Sequence, residues 1–495
     1  MPARNGGAYL KGLKATNREI WLGDELVEDV VEHPKLKPGA EAIASYFDLQ
    51  QAKPDVLLVD DPETGEPINI SHIAPTSADG LARRGDGLRE ISELSMGVMG
   101  RTPDYMNVTF AGFAADECRW AGADGQNAEG YENLVAFQKR LRREDLSLTH
   151  TIVHPTVDKA TDRSFDGNPV PLHKVGETEH SVVVRGARLL STLAPYADEQ
   201  TVYPGAPLPP DAGPQYAVAF SIPMDAPGMV FLCRDSGIKQ DMHPIDAPFS
   251  SRFDEQDAFC IFDDVEIPKE NMWINGNIEI YNTVMGFSPW WPNIMQQTTI
   301  RALTKLEFAY GLATAMAEAI GDDTERTVEL LGEISGYVEM TRSGLIAAQA
   351  ECLTWEGGLV TLETRAMTPL RALLPIWFVR VNEIIKTIGS HNLLQVSSQA
   401  QIGDHRIKAL IDEFMPGANG VTAEERSNIF RIAWDFACSE LGGRNELYER
   451  NYLQSARSNR MRIHQIYSAA GRARGGELLQ KVLADARNRS SSNGA

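Results

Sequence analysis

Closely spaced cysteines are absent from this chain of 495 residues. Its five cysteines are scattered, and no CxxC or CxxxC pair occurs, which argues against a zinc knuckle or a compact iron–sulfur site. No run approaches about 18 consecutive apolar residues, so we expect no membrane span. The first residues also lack the apolar core of a signal peptide. We therefore expect a cytoplasmic protein with buried free thiols and no metal site.

Nucleotide-binding and hydrolase motifs are missing as well. The chain contains no GxGxxG, GxxxxGK[ST], GxSxG or HExxH. It therefore offers no recognisable NAD(P)H site, and if it uses a redox cofactor the electrons come from elsewhere. Positive charge is scarce, since 47 Lys and Arg stand against 68 Asp and Glu, for a net charge of −21. Such acidity argues against partners that are nucleic acids or anionic membranes.

Apolar residues make up 43% of the chain, enough for a large core, and their pattern changes twice along it. Residues 1–148 read as a helical domain and residues 149–275 as a β domain. Residues 276–495 contain long amphipathic segments in series, which predicts a helical bundle and tail. A flat ligand could bind where the three domains meet.

Several local patterns support this division. Residues 132–141 have the apolar spacing of an amphipathic helix, and residues 216–222 and 228–233 are predicted to form a strand pair. Thr422 and Glu425 have the spacing of a capping box that begins a bundle helix.

The first candidate for chemistry is the segment GRTPDY at residues 100–105. Its glycine and proline predict a tight, non-helical turn that holds Arg101 and Tyr105. Arg is a permanent forked donor and Tyr a directional hydroxyl, so together they could bind a phenol or phenolate oxygen. The alternative is a loop arginine paired with a surface carboxylate.

The second candidate is the segment LTHTIVHPTVDK at residues 148–159. His150 or His154 could exchange a proton with a substrate oxygen, and the spacing does not decide between them. The alternative is a structural histidine beside a turn. Thr156, Asp158 and Lys159 offer a hydroxyl, a carboxylate and a cation to a polar cofactor.

Read together and in order, these motifs resemble the 4-hydroxyphenylacetate 3-hydroxylase large-component family over nearly the whole chain. The segments that carry the resemblance are GAYLKGL at 7–13, MGRTPDY at 99–105, LTHT at 148–151, TLAPYADE at 192–199, DEQDA at 254–258, FDDV at 262–265, ELGGR at 440–444 and ELYER at 446–450.

The resemblance implies an α+β fold like that of acyl-CoA dehydrogenases. That fold has an N-terminal helical domain, a central β-barrel domain and a C-terminal helical bundle through which homotetramers or homodimers form. It further implies an FADH2-dependent phenol monooxygenase, with O2 as co-substrate and reduced FAD diffusing from a separate NAD(P)H:flavin reductase. In such enzymes a C4a-hydroperoxyflavin hydroxylates the ring carbon ortho to the phenolic hydroxyl.

The resemblance also assigns residues. Arg101, Tyr105 and His150 match the trio around the phenolic oxygen. The positions that match flavin contacts are Thr156, Val157, Asp158, Lys159, Thr192, Gln454, Ser455, Ala456 and Arg457. At 453–457 this chain reads LQSAR where the family often has a Gly-Asp pair. At 202–205 it reads VYPG where the family places small hydroxyl residues for the substrate carboxylate. A substituted or halogenated phenol, or a tyrosine-like intermediate, is therefore an equal candidate for the substrate.

Three other functions remain open at this point. An iron–sulfur 4-hydroxybutyryl-CoA dehydratase would need converging thiolates. A flavin-dependent acyl-CoA dehydrogenase would retain its flavin and use a glutamate base. A non-catalytic binding protein on the same fold would hydroxylate no phenol.

Overall fold

The computed structural model describes residues 3–156, 165, 167–239, 242–286 and 288–492. The first part is mainly helical, and the helix expected over 132–141 lies inside a longer helix that buries Leu134, Phe137 and Leu141 on one face. The elements of this part are α1 (Gly6–Lys14), β1 (Glu19–Leu22), β2 (Glu25–Leu26), α2 (Lys37–Ala52), α3 (Pro54–Leu57), β3 (Leu58–Asp60), β4 (Pro67–Asn69), α4 (Ala78–Glu93), α5 (Pro103–Ala114), α6 (Glu117–Trp120) and α7 (Ala128–Glu144).

Strands dominate the middle of the chain. They are β5 (Leu148–Thr151), β6 (His173–Glu177), β7 (Ser181–Thr192), β8 (Glu199–Val202), β9 (Val218–Pro223), β10 (Met229–Cys233), β11 (Asp257–Pro268) and β12 (Met272–Asn275). They form a six-stranded sheet in the order β2-β1-β10-β11-β7-β6 and a four-stranded sheet in the order β12-β9-β8-β5. Within the described residues the strand pairings do not close into a barrel, which corrects the barrel that the resemblance implied.

The pairing of the strands differs from the sequence prediction in two respects. The expected pair over 216–222 and 228–233 exists as β9 and β10, but these strands belong to different sheets, so the predicted pairing is wrong. The six-stranded sheet also recruits β1 and β2 from the N-terminal part, with β1 parallel to β10. The backbone of a strand can hydrogen-bond along both edges, and β10 pairs with β1 on one edge and β11 on the other; the short turn to β9 does not dictate which partners it takes.

Helices return after β12, and the longest of them form a bundle. This part contains α8 (Ile278–Thr283), α9 (Trp290–Ile320), α10 (Glu325–Ala350), β13 (Leu353–Thr354), β14 (Val360–Thr361), α11 (Thr364–Gly389), α12 (Gln399–Gly403), α13 (His405–Phe414), α14 (Ala423–Ala437), α15 (Glu440–Asn451) and α16 (Ala456–Ser492). The capping box of Thr422 and Glu425 is confirmed at the start of α14.

One continuous apolar core runs from α1 and α2 through both sheets and into the bundle. Helix α9 is buried along most of its length and packs on α4, α5, α10, α11 and α14. The first residues of α5 meet the end of β5 through Tyr105 and His150, and the segment before α5 meets α15 through Arg101 and Tyr448. Of the helices that the structure describes, none combines the length and the apolar character needed to cross a membrane.

Candidate active site

The turn that carries Arg101 is shaped by two glycines. Gly97 has a φ of +69°, and a Cβ there would lie 2.5 Å from the carbonyl oxygen of Arg301. A Cβ on Gly100 would lie 2.2 Å from the hydroxyl oxygen of Tyr448. Both positions therefore need glycine, the first for its conformation and the second for close packing. Pro103 then begins α5, so Tyr105 lies in a helix and the predicted non-helical turn is confirmed only for residues 100–102; a proline in the first turn is compatible with a helix because its missing N–H needs no helical partner.

Glu255 holds this turn against the rest of the protein. Its Oε1 accepts hydrogen bonds from the backbone N–H groups of Gly100 and Arg101, both at 2.7 Å. Its Oε2 accepts one from Nη1 of Arg444 on α15, at 2.8 Å. Arg444 also pairs with both carboxylate oxygens of Asp257, each at 2.8 Å. The backbone of Arg101 is thus tied to the six-stranded sheet and to the bundle at once.

The guanidinium of Arg101 is surrounded by tyrosine rings rather than by carboxylates. Its Cζ lies 4.0 Å from the ring centroid of Tyr105, 5.3 Å from that of Tyr448 and 5.6 Å from that of Tyr452. Within the described part of the chain, the guanidinium donates one hydrogen bond, to the carbonyl oxygen of Gly100 at 3.4 Å. The remaining donors of a buried cation are therefore left for a ligand.

Arg101 remains positively charged although it is buried. Burial acts to lower its pKa, but Tyr105, Tyr448, Tyr203 and Glu255 together hold the pKa above its ordinary value. The nearest carboxylate, Glu255, is already compensated by Arg444. A negatively charged oxygen that entered the site would find a preformed positive partner there.

His150 completes the cluster from β5. Its ring stacks between those of Tyr105 and Tyr203, with centroid distances of 5.6 Å on each side. Burial, aided by the charge of Arg101, holds the pKa of His150 well below its usual range. His150 is therefore neutral at physiological pH, and one of its ring nitrogens can accept a hydrogen bond. The Tyr203 hydroxyl is buried and has no hydrogen-bond partner among the described residues.

Tyr448 and Tyr452 are positioned by a buried charge cluster. Their rings stack with centroids 4.7 Å apart. Glu449 between them pairs with Arg301, at 2.8 and 3.0 Å, and with Lys305, at 2.8 Å. Arg301 also donates to the Tyr452 hydroxyl at 2.9 Å, so α9 fixes the orientation of the tyrosine pair on α15.

The predicted catalytic trio is thus brought together, whereas the predicted flavin residues are spread more widely. Thr192 is buried and donates to Asp257 at 2.7 Å, beside the Arg444 anchor. Thr156 is exposed. Val157, Asp158 and Lys159 lie outside the described residues. At the α15–α16 junction, Ala456 is half-buried, and the exposed residues are Gln454, Ser455 and Arg457.

The other histidine has different surroundings. His154 packs edge-on against Phe165 at 5.1 Å, and neither ring nitrogen has a hydrogen-bond partner among the described residues. Burial and then the charge of Arg188 lower its pKa to about 2. It does not stack on Tyr105 or lie beside Arg101. The geometry therefore favours His150 of the two histidines that the spacing left open.

Several residues of the site were not assigned a role from the sequence. Glu255, Arg444 and Tyr448 occur in the segments that carry the resemblance, but only their contacts show what they do. Gln256 follows Glu255, is buried, and has both amide atoms without partners within the described residues. With the unpaired hydroxyls of Tyr203 and Tyr448, it leaves buried donors and acceptors for a flat polar ligand.

The thiols and potential metal ligands add nothing to this site. All five cysteines are free; the structure buries Cys260, leaves Cys233, Cys352 and Cys438 half-buried and exposes Cys118, so the expectation of buried thiols is wrong for Cys118. In the described ranges, no group of three His, Cys, Asp or Glu side chains could hold a metal ion.

Comparisons with known proteins agree on one family. The N-terminal model of 4-hydroxyphenylacetate 3-hydroxylase matches residues 5–274, and the C-terminal model matches residues 289–475. A 4-hydroxyphenylacetate 3-monooxygenase oxygenase component from Thermus thermophilus is 34% identical over 91% of this chain and 92% of its own length.

Solved structures support the same assignment. The crystal structure of the oxygenase component of 4-hydroxyphenylacetate 3-monooxygenase, complexed with FAD and 4-hydroxyphenylacetate, superposes with a TM-score of 0.91. It is 31% identical, and the match covers 97% of this chain and 99% of that one. An archaeal 4-hydroxybutyryl-CoA dehydratase from N. maritimus matches with a TM-score of 0.83 at 17% identity, over 98% of this chain and 95% of that one. This last likeness shows the shared acyl-CoA dehydrogenase-like fold alone.

Proposed function

Because the chain belongs to the 4-hydroxyphenylacetate 3-hydroxylase family, we propose that it is the oxygenase component of a two-component flavin monooxygenase that hydroxylates a phenol ortho to its hydroxyl group. The observation that carries this proposal is the buried Arg101 guanidinium, whose free donors lie beside Tyr105 and His150. A phenolic oxygen placed among these three groups has a cation, a hydroxyl and a neutral imidazole within reach.

The protein uses FAD, with O2 as co-substrate. Reduced FAD, when bound, would supply the two electrons that activate O2, so that one oxygen atom enters the ring and the other leaves as water. The orphaned amide of Gln256 fits this group, because an isoalloxazine presents donors and acceptors along one edge. We assign further flavin contacts to Thr192 and to residues 454–457, and we retain Thr156, Val157, Asp158 and Lys159 as candidates.

The residues of the site activate the phenol. Arg101 stabilises negative charge on the phenolic oxygen, and Tyr105 orients that oxygen by a hydrogen bond. Neutral His150 accepts a hydrogen bond from the phenolic O–H and so polarises the phenol toward phenolate, which increases electron density at the ortho carbon. The rings of Tyr203, Tyr448 and Tyr452 exclude water, and this protects the reactive oxygen from loss as H2O2.

We extend the proposal to a reductase partner and to self-assembly. A separate NAD(P)H:flavin reductase delivers reduced FAD, and the protein works in the cytoplasm as a homotetramer or homodimer. The support for assembly is α16, which contains eight Arg or Lys and two Asp or Glu in a chain of net charge −21. It also exposes Leu478, Leu479, Val482 and Leu483. A basic helix with an apolar stripe complements the acidic surface of a second copy.

The direct test is a panel of phenols supplied with FAD, NADH and a generic flavin reductase. We expect mass spectrometry to detect a product with one added oxygen, and NMR to place the new hydroxyl ortho to the first. The panel includes halogenated and nitrated phenols, which also reveals whether loss of the substituent accompanies hydroxylation. A matched reaction without reductase controls for uncatalysed oxidation. Absence of an oxygenated product from every phenol would refute the proposed function.

A further inference from the structure

Tyr203 has a buried hydroxyl group to which the described part of the protein offers no acceptor. The residue follows directly after β8 and is 0% exposed, and its hydroxyl has no hydrogen-bond partner among the described residues. A buried hydroxyl without a partner is costly, and folded proteins leave few of them. An acceptor that arrives with a ligand would remove this cost.

The ring of Tyr203 is packed on three sides, which fixes the position of its hydroxyl. It stacks on His150 with the centroids 5.6 Å apart and the planes at 15°. Phe113 and Phe110 lie nearly perpendicular to it, with centroid distances of 5.3 and 6.5 Å. A tyrosine hydroxyl lies on the axis of its ring, so it reaches another acceptor only if the whole ring moves. The packing therefore holds this donor in one place.

The backbone also places Tyr203 beside His150. Strands β5 and β8 pair in parallel, and His150 lies opposite Thr201, two residues before Tyr203. Just after Tyr203, a Cβ on Gly205 would lie 2.5 Å from the carbonyl oxygen of Ile152, so the chain passes close to the residue that follows β5. The same strand pair thus positions both rings.

Tyr203 forms one side of a three-ring stack that includes two members of the catalytic trio. The order is Tyr105, His150, Tyr203, and both neighbours lie 5.6 Å from the imidazole, at angles of 24° and 15°. Arg101 stands over the Tyr105 ring at 4.0 Å. A ligand oxygen at the edge of the imidazole would therefore lie one ring layer away from each tyrosine.

The Tyr203 hydroxyl is a hydrogen-bond donor at physiological pH. Burial, aided by Tyr105, holds its pKa well above the ordinary value, and the opposing charge of Arg101 does not reverse this shift. The hydroxyl is therefore protonated. A phenolate oxygen has lone pairs for several donors, and hydrogen bonds to a charged oxygen are stronger than those to a neutral one.

We propose that Tyr203 is a further catalytic residue, whose hydroxyl donates a hydrogen bond to the oxygen of the bound phenol. This inference rests on the proposed function and adds one donor to those of Arg101 and Tyr105. Because the bond is stronger to an ionised oxygen, Tyr203 favours the phenolate over the neutral phenol. It thereby increases electron density at the ortho carbon in the same direction as the trio does.

The test uses Tyr203→Phe, which deletes the hydroxyl and keeps the ring stack. Calorimetry measures the Kd of 4-nitrophenol, at a pH at which it is ionised, and of its methyl ether 4-nitroanisole, which cannot ionise. We expect Tyr203→Phe to weaken binding of the phenolate about tenfold and that of the ether by less than about twofold, because only the phenolate loses a charged hydrogen bond. Absorbance titration should also show a higher pKa of the bound phenol.

Tyr196→Phe is the matched control. The Tyr196 hydroxyl is also buried and without a partner among the described residues, but it packs against Gly39 on α2 and not in the three-ring stack. This variant should leave both Kd values unchanged. Neither deleted hydroxyl has a partner in the unliganded protein, so both variants should melt at the temperature of the unchanged protein or above it. Equal melting temperatures separate a loss of binding from a loss of folding.

Several results would overturn the role of Tyr203. One is an unchanged Kd for 4-nitrophenol in Tyr203→Phe when Arg101→Met weakens it. Another is equal weakening of the phenol and its ether, which would show that the residue only packs. A weakened Kd for FAD with an intact preference for the phenolate would assign the hydroxyl to the flavin. Failure of the unchanged protein to bind 4-nitrophenol would also count against the contact.

The proposed function fails separately. If no phenol of the panel is hydroxylated, that function is refuted, whereas a Kd for 4-nitrophenol that depends on the Tyr203 hydroxyl would still support the contact. If phenols are hydroxylated and Tyr203→Phe retains the full phenolate preference, the function stands without this residue.

Discussion

At the scale of single residues, the site depends on an arginine whose partners are aromatic. A carboxylate beside Arg101 would occupy its donors and cancel its charge, whereas the rings of Tyr105, Tyr448 and Tyr452 hold it in place and leave the charge available. Glu255 fixes only the backbone of Arg101. Because Glu255 anchors the backbone of Arg101 and not its side chain, the guanidinium remains available to bind a phenolate oxygen.

Arg101 can be tested with 4-nitrophenol, whose colour reports its ionisation. We expect the unchanged protein to bind the phenolate and to lower the pKa of the bound phenol, because the guanidinium stabilises the negative oxygen. Arg101→Met should abolish this shift and weaken binding about tenfold or more. Absorbance titration measures both effects, with Arg83→Gln as an exposed-arginine control. A phenolate signal that persists in Arg101→Met would contradict the assigned role.

His150 has a separate signature. His150→Phe keeps an aromatic ring between Tyr105 and Tyr203 but removes the proton acceptor. We expect hydroxylation to fall about a hundredfold or more while H2O2 release continues, because general-base assistance is lost but flavin oxidation is not. Product and peroxide are quantified in the same reaction with excess reductase. Unchanged product formation would show that His150 only packs the site.

At the scale of elements, the buried cluster of Arg301, Lys305 and Glu449 joins α9 to α15. Burial alone would raise the pKa of Glu449, but Arg301 and Lys305 outweigh it and lower the pKa to about 2. The pair therefore persists across the physiological range. Arg301 of this cluster also donates a hydrogen bond to the Tyr452 hydroxyl. The cluster that joins the two helices therefore also positions a ring of the candidate active site.

Glu449→Gln should therefore destabilise the protein strongly. Removing one partner of a buried pair leaves an uncompensated charge, and we expect a loss of about 3–5 kcal/mol in the free energy of unfolding. Glu446→Gln is the matched control on the same helix, because its pair with Arg450 is partly exposed and contributes about 1 kcal/mol or less. Chemical denaturation measures both, and equal effects of the two substitutions would refute the argument.

At the scale of the whole molecule, two buried histidines shape the response to pH. Burial holds the pKa of His150 well below its usual range and lowers that of His154 to about 2. In the unfolded chain both side chains bind protons near about pH 6.5, whereas in the folded protein they stay neutral. The contribution of these two histidines to the free energy of unfolding is therefore fully present above about pH 6.5. It decreases as the pH falls below that value.

This sign can be checked by urea denaturation at a series of pH values from about 8 to 5. We expect the free energy of unfolding to decline toward the acidic end, and His154→Phe to make that decline shallower by removing one of the two groups. Glu449 and Asp257 affect the free energy of unfolding only below about pH 4.5, because such carboxyls take up protons near about pH 4 in the unfolded chain and only near about 2 in the folded protein. An identical slope in His154→Phe would contradict the assignment.

The proposed assembly is also tested at the scale of the whole molecule. Helix α16 extends beyond its contacts with α11, and its distal half is exposed. Truncation after Gly475 should reduce the oligomer to smaller species, as measured by light scattering after size exclusion. The substitution of Leu479 and Val482 by Gln tests the apolar stripe without shortening the chain. An unchanged mass in both variants would exclude α16 from the interface.

The sequence by itself determined the local structure and the family. Periodicity and caps depend on residues a few positions apart, so helices such as α7 and α14 could be predicted, and ordered motifs identified Arg101, Tyr105 and His150. These three side chains lie together in the structure, as the resemblance over nearly the whole chain led us to expect, because the resemblance carries the fold with it.

Only the tertiary structure decided which distant segments meet. The partner of β10 is β1 rather than β9, and the sheets do not close, because strand pairing is settled by packing on both faces and not by the neighbouring turn. The tyrosine rings around Arg101 and the Glu255–Arg444 anchor likewise join residues far apart in the chain. Such contacts depend on long-range burial and charge compensation, which no local pattern encodes.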